Sequence, residues 1–176
     1  MLLRQPGIVS LHAVTSTNAL HFAFQASGDD RTRRLLLLQN AAFLTLFRAA
    51  LGGRDKVGDA RIDQLEPVAT SKDEPAAVEE IFAEASRDRM TAARKALAYL
   101  QAGHDPRALI DAARRLVFLK GDDAHDYKFS SAVLEDYYNA SPAWRERYLA
   151  SSLLLLPGSA DRDNDLVRRT RAALHA

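Results

Sequence analysis

Hydrophobic residues along this chain recur at spacings of three and four, the pattern of helices that bury one face. In the first segment Ile8, Leu11, Thr15, Ala19 and Phe22 form one such stripe. No segment shows the sustained alternation of apolar and polar residues that is typical of a half-buried strand. The pattern therefore predicts an all-α protein without a sheet.

Glycines, prolines and capping residues divide the sequence into about seven or eight helices. The predicted helices cover about 8–27, 30–51, 75–85, 87–102, 106–120, 125–139, 142–156 and 161–176. Tight capped turns join several of them, which favours a single bundle of antiparallel hairpins over residues 1–176. Because helical sequence begins almost at the first residue, the chain also fits a part of a longer protein.

Residues 52–73 depart from this pattern. They contain Gly52, Gly53, Gly58 and Pro67, many charged residues and only scattered apolar ones. A connection of this length is long for a compact domain and is typical of a lid, a binding loop or a linker. We expect a long loop or lid here.

Composition narrows the classes of function. Lys and Arg total 24 against 23 Asp and Glu, so no bulk field attracts nucleic acid or an anionic membrane. The chain has no Cys, which excludes disulfides, thiolate metal sites and cysteine nucleophiles. We see no uninterrupted run of about 20 apolar residues and no signal-peptide core. A cytoplasmic protein with neither nucleic acid nor membrane as its partner is expected.

Three polar residues border the apolar stripe of the first helix. His12, Thr15 and Asn18 are predicted to be interior or partly interior, whereas His21 and Gln25 fall on the polar face. An unpaired interior polar group costs about 1–3 kcal/mol, so each of the three needs a partner. They form either a hydrogen-bonded core network or part of a functional site.

A second candidate is the segment Gly121–Phe129, in which His125 and Lys128 follow three aspartates at the start of a helix. A helix N-terminus favours the neutral imidazole, which ligates metals or acts as a base, and Lys128 can hold an anionic oxygen. The alternative is a capping cluster with a solvated His and Lys. No helical His-x-x-His, His-x-x-x-His or Glu-x-x-His pair occurs, so a metal site must combine separate helices, as with His12 and His125.

Other chemistry has no support in the pattern. Neither a Gly-x-Ser-x-Gly elbow nor a glycine-rich nucleotide fingerprint is present. His104, in a predicted turn, and His175, near the chain end, are expected at the surface.

Two segments together resemble the C-terminal half of the questin oxidase-like family. They are Leu11–Thr15 with Asn18-Ala19-Leu20, and Gly121–Phe129 continuing to Glu135. The family is helical, and its characterised type cleaves an anthraquinone ring by a Baeyer–Villiger-like, NADPH-dependent oxygenation. This chain is less than half the family's usual length, and Asp126 and Tyr127 stand where less polar residues are expected. The resemblance implies that His12 and His125, with Lys128 nearby, face a shared interior pocket.

We therefore predict an oxidase or monooxygenase domain that acts on an aromatic or quinone-like molecule, with NADPH or a bound metal as its cofactor. The predicted residues are His12, His125 and Lys128 for catalysis, Thr15, Asn18, Phe22 and Phe129 for substrate, and His12 and His125 for metal. The alternative is a non-catalytic helical interaction or oligomerisation module. It is suggested by the leucine runs at 35–38 and 153–156, whose side chains point all round a helix and need covering. Its partner would be a second copy or another domain, such as the redox module of a longer bacterial protein.

Overall fold

The computed structural model describes residues 1–53 and 56–175, and helices dominate this part of the chain. Its α-helices are α1 (Ile8–Ala26), α2 (Asp30–Gly52), α3 (Glu74–Ala85), α4 (Arg89–Gln101), α5 (Pro106–Lys120), α6 (Ala124–Asn139), α7 (Arg145–Ser152) and α8 (Asp165–Leu174). A single 3₁₀ turn at Ile62–Gln64 is the other helical element of the described chain. No strand occurs in these residues, so the all-α prediction is confirmed.

Most helices begin where a short polar side chain bonds an exposed backbone N–H of the first turn. These caps are Asp29, Asp73, Asp88, Asp105, Asp123 and Asn164. Two of them correct the predicted helix starts, because α4 begins after Asp88 and not at 87, and α8 begins after Asn164 and not at 161. Helix α7 is also shorter than predicted, since it ends at Ser152 and a run of turns follows.

The core lies among α3, α4, α5, α6 and α7, where small residues let the helices approach closely. Ala77, Ala92, Ala93 and Ala96 are fully buried beside large side chains such as Leu97. Helices α3 and α4 are antiparallel, because Lys95 pairs with Glu80 and Glu84 while Tyr99 meets Glu74. Leu153, Leu154 and Leu156 are buried in this core, so the second leucine run is covered within the chain.

The long segment before α3 packs on the bundle at defined points. Leu65 is 5% exposed and belongs to the core, and the Val68 N–H donates to the carbonyl of Arg94 at 3.2 Å. The Ile62–Gln64 turn contacts α7. The described part, 56–73, therefore packs against α4 and α7, while residues 54 and 55 of the predicted loop lie outside the described residues.

Helices α1 and α2 form an antiparallel hairpin at the edge of the bundle. Thr17 donates to Asn40 at 3.0 Å, and Arg33 reaches back to the carbonyl of Phe24. Helix α1 packs on both α2 and α6. Helix α2, in contrast, has α1 as its main helical neighbour. Leu51 is the one buried residue of α2, so its first leucine run is largely exposed.

Among the described residues, α2 is the one helix that is long and apolar enough to cross a membrane, judged on length and composition only. Only 6% of its most apolar 18-residue window is buried in this structure. Gln39 and Asn40 interrupt the apolar run of α2 without adding charge, so the helix is more apolar over its length than the separate leucine run predicted.

Acid is expected to release α8 before the rest of the bundle unfolds. Nζ of Lys120 lies 2.8 Å from Oδ1 of Asp163 and holds the pKa of this carboxyl group below its usual range. Arg171 of α8 binds the same carboxylate. Because the folded-state pKa is lowered, this stabilisation is present above the unfolded pKa of about 4 and is lost as the pH falls through the folded value. Amide protection factors across α8 should drop selectively on acidification. Asp163→Asn should lower them already at neutral pH, and acid-insensitive protection would contradict the assignment.

Candidate functional site

The start of α6 is built by a reciprocal cap that uses two of the predicted aspartates. Asp123 accepts from the N–H groups of His125, at 2.7 Å, and Asp126, while the Asp126 carboxylate accepts from the N–H of Asp123. The backbone bond from His125 lowers the pKa of Asp123. The cluster is therefore a capping box, and it fixes where the His125 side chain leaves the helix.

His12 of α1 and His125 of α6 are in contact. Their ring centroids are 5.4 Å apart at an interplanar angle of 80°, an edge-to-face pair. Nδ1 of His125 lies 3.4 Å from the Asp123 carboxylate, so one nitrogen of this ring faces an anion. The His125 side chain is 42% exposed and His12 is half-buried, which leaves the pair accessible at the α1–α6 seam.

The pair does not by itself provide a metal site. Among the described residues no group of three or more His, Asp or Glu is arranged to hold an ion. Catalytic metals usually take three protein ligands, so the donors present at His12 and His125 do not fit a protein-built metal centre. The metal role stays a prediction without structural support. NADPH likewise rests on the resemblance, because the sequence lacks a glycine-rich phosphate loop.

The other residues predicted for catalysis or substrate binding differ in their exposure and in their surroundings. Thr15 bonds the backbone carbonyl of His12 at 3.5 Å, and Lys128 is exposed one turn beyond His125. Phe22 is 67% exposed, whereas Phe129 is 1% exposed within the core. The expected interior pocket at the two histidines is therefore not observed in the described part of the chain, because His125 is 42% exposed and neither histidine lines the cavity described below.

Asn18 belongs to a different polar cluster, centred on Asp136 of α6. Its side-chain amide donates to Oδ1 of Asp136 at 2.9 Å, and the Tyr148 hydroxyl donates to Oδ2 at 2.9 Å. Burial, followed by the charge of Asp136, raises the pKa of Tyr148 well above its usual range. Tyr148 therefore stays a protonated donor. Asn18 bonds a carboxylate of α6, and not His12, Thr15 or a nearby carbonyl as the predicted core network would have it.

The main cavity lies on the side of α1 that faces away from His12. It has a volume of about 600 Å³ and is bounded by α1, α2, α6, α7 and the N-terminal and 60–63 segments. From α1 it is lined by Ser10, Ala13, Val14, Thr17 and His21. At about 100° per residue these five share one face of the helix, and His12 falls nearly opposite.

Sequence reasoning missed this cavity and placed His21 in solvent, whereas His21 is half-buried in its wall. The available signal was the i, i+3, i+4, i+7 spacing of small and polar residues from Ser10 onward. His104 lies between α4 and α5, and its side chain is 22% exposed because its ring stacks on Tyr99 with centroids 4.8 Å apart. His175 is exposed, as expected.

Comparison with known protein families, with curated proteins and with solved structures finds no match to this chain. The function of this chain is therefore inferred from the geometry of the described residues and from the resemblance of the two short segments.

Proposed function

We propose that this chain is a questin oxidase-like helical domain that acts on an aromatic or quinone-like molecule at the paired imidazoles of His12 and His125. The contact between these two rings carries the proposal. The residues come from segments far apart in the sequence, and the resemblance implied that they face one another. The capping box at Asp123 supports it further, because it gives His125 a fixed starting geometry.

In this proposal His125 acts as a base on a hydroxyl group of the substrate. A proton on Nδ1, beside the Asp123 carboxylate 3.4 Å away, leaves Nε2 free to accept a proton. His12 shares the proton or bonds the resulting oxyanion, with Lys128 one turn further along the exposed edge of α6. NADPH, which the resemblance implies, would supply the reducing electrons.

Replacing His125 with glutamine is expected to lower turnover by about 100-fold, the low end of what a positioned acid or base contributes. The assay follows NADPH oxidation and oxygen uptake with a hydroxyanthraquinone as substrate. His175→Gln is the matched control, since His175 is exposed near the chain end and should retain full turnover. Equal rates in both variants, or no turnover by the unmodified protein, would contradict the catalytic proposal.

A second function, a helical interaction module, is favoured by a different observation. Helix α2 presents large apolar side chains to solvent, among them Leu35 (56% exposed), Leu38 (67%) and Leu46 (64%). No charged residue occurs between Leu35 and Phe47. An exposed apolar surface of this extent on a soluble domain usually marks an interface. The occupant we propose is a second copy, whose hairpin would complete a four-helix arrangement with α1 and α2.

Leu38→Asp is expected to convert an oligomer into a monomer, because a buried unpaired charge opposes association. Sedimentation velocity at increasing protein concentration measures the change. Leu174→Asp in α8 is the control, since Leu174 is even more exposed, at 78%, but lies on another helix. A monomeric unmodified protein at its highest soluble concentration would rule out self-association through α2.

A further inference from the structure

The carboxylate of Asp136 lies in the wall of the main cavity without an ion pair among the described residues. Each of its oxygens accepts one hydrogen bond, from Asn18 and from Tyr148, and both donors are neutral. A carboxylate offers about four lone-pair positions, so both oxygens can accept further hydrogen bonds. The negative charge is thus held in place by neighbours that do not neutralise it.

The rest of the cavity wall is mainly apolar. Its apolar lining includes Leu2, Leu3, Ala13, Val14, Leu44 and Ile62. Two of its other charges cancel, because Arg61 and Asp63 form an ion pair at 2.7 Å. Arg4 is exposed, and its Nε donates to the carbonyl of Gly58 at 2.8 Å, so solvent screens its charge. Met1 and His21 also line the cavity, and burial lowers the pKa of the Met1 amino group, which disfavours its charged form. Among the described residues, Asp136 is therefore the carboxylate of this wall that has no cationic partner.

We propose that this cavity binds a small apolar molecule that ends in a protonated amine, with the ammonium group on Asp136 and the apolar body against the α1–α2 wall. A volume of about 600 Å³ falls within the range of small-molecule sites, which are largely apolar with a few convergent polar groups. A charge-assisted bond to a carboxylate in such a wall is stronger than a neutral one. This site faces away from His12 and does not depend on the proposed oxidase function.

A matched pair of probes tests the chemistry. 2-Naphthylmethylamine and 2-naphthylmethanol share one apolar body and differ in the cationic group, and calorimetry gives the affinity of each. The amine is expected to bind at least 10-fold more tightly than the alcohol. In Asp136→Asn that preference should disappear through loss of amine affinity, with the alcohol unchanged. Equal affinities in the unmodified protein, or a preference that survives Asp136→Asn, would overturn the assignment of an amine.

A second pair of variants tests the location. Ala13 is buried in the cavity wall, whereas Ala19 is exposed on the other side of the same helix. Ala13→Trp should abolish binding of both probes and Ala19→Trp should not. Leu44→Trp, at the rim and 36% exposed, gives the same blockade if Ala13→Trp fails to fold. No binding by the unmodified protein, or binding that persists in the folded blocked variant, would overturn the site.

Discussion

Gly158→Ala is expected to destabilise the fold by about 3 kcal/mol or more, because the added methyl group has no space. A Cβ at this position would stand 2.0 Å from Oγ, 2.4 Å from the backbone nitrogen and 2.8 Å from Cα of Ser86. Rotation of the Ser86 side chain relieves the first contact and leaves the two backbone contacts. The segment after α7, which contains Gly158, must therefore move away from the segment between α3 and α4, which contains Ser86.

The hydrogen bonds of this contact would be strained by the same movement. Ser159 donates to the carbonyl of Phe82 at 2.9 Å, and the N–H of Ala160 donates to Oγ of Ser86 at 3.0 Å. Urea unfolding measures the loss, with Gly28→Ala as the control because no atom lies within 4 Å of a Cβ there. Equal midpoints for the two variants would contradict this packing.

Phe129→Ala should cost about 3–5 kcal/mol of unfolding free energy, the usual cost of removing a buried aromatic side chain. Phe129 is 1% exposed and belongs to the core cluster, so its removal leaves a cavity inside the bundle. Phe22→Ala is the matched control and should change stability by no more than about 0.5 kcal/mol, because Phe22 is 67% exposed.

Thermal and urea unfolding of the two variants distinguish a core residue from a substrate contact. The sequence analysis assigned both phenylalanines to substrate binding, and the structure places Phe129 in the core instead. A Phe129→Ala protein with unchanged stability would contradict the core assignment.

The helical architecture could be predicted because its signals are local. An aspartate at position 123 followed by another at 126 satisfies the free N–H groups of a first turn whatever the rest of the chain does. The positions of the two leucine runs, in contrast, depend on tertiary packing. The run at 153–156 has helical residue types, but α7 ends at Ser152 and these leucines enter the core from turns. The leucines at 35–38, similar in composition, lie exposed in α2.

Only the part of the candidate site that lies in the two recognised sequence segments could be predicted. The meeting of His12 and His125 was inferred from the resemblance, and the structure brings the two rings together. For the cavity on the other side of α1 the sequence offered only the spacing on the α1 face, because its other walls include α7 and the 60–63 segment, which tertiary packing brings there. Asp136 and Tyr148 are ordinary residues in the sequence and become a cluster only through the packing of α6 on α7.

The central claim is that His12 and His125 act as one unit, and a double-mutant cycle on turnover tests it most directly. We compare His12→Gln, His125→Gln and the double variant in the hydroxyanthraquinone assay, with folding verified by circular dichroism. If the two rings form one site, the double variant should be no slower than the slower single variant, within about twofold. Losses that multiply, or single variants as active as the unmodified protein, would contradict a shared site.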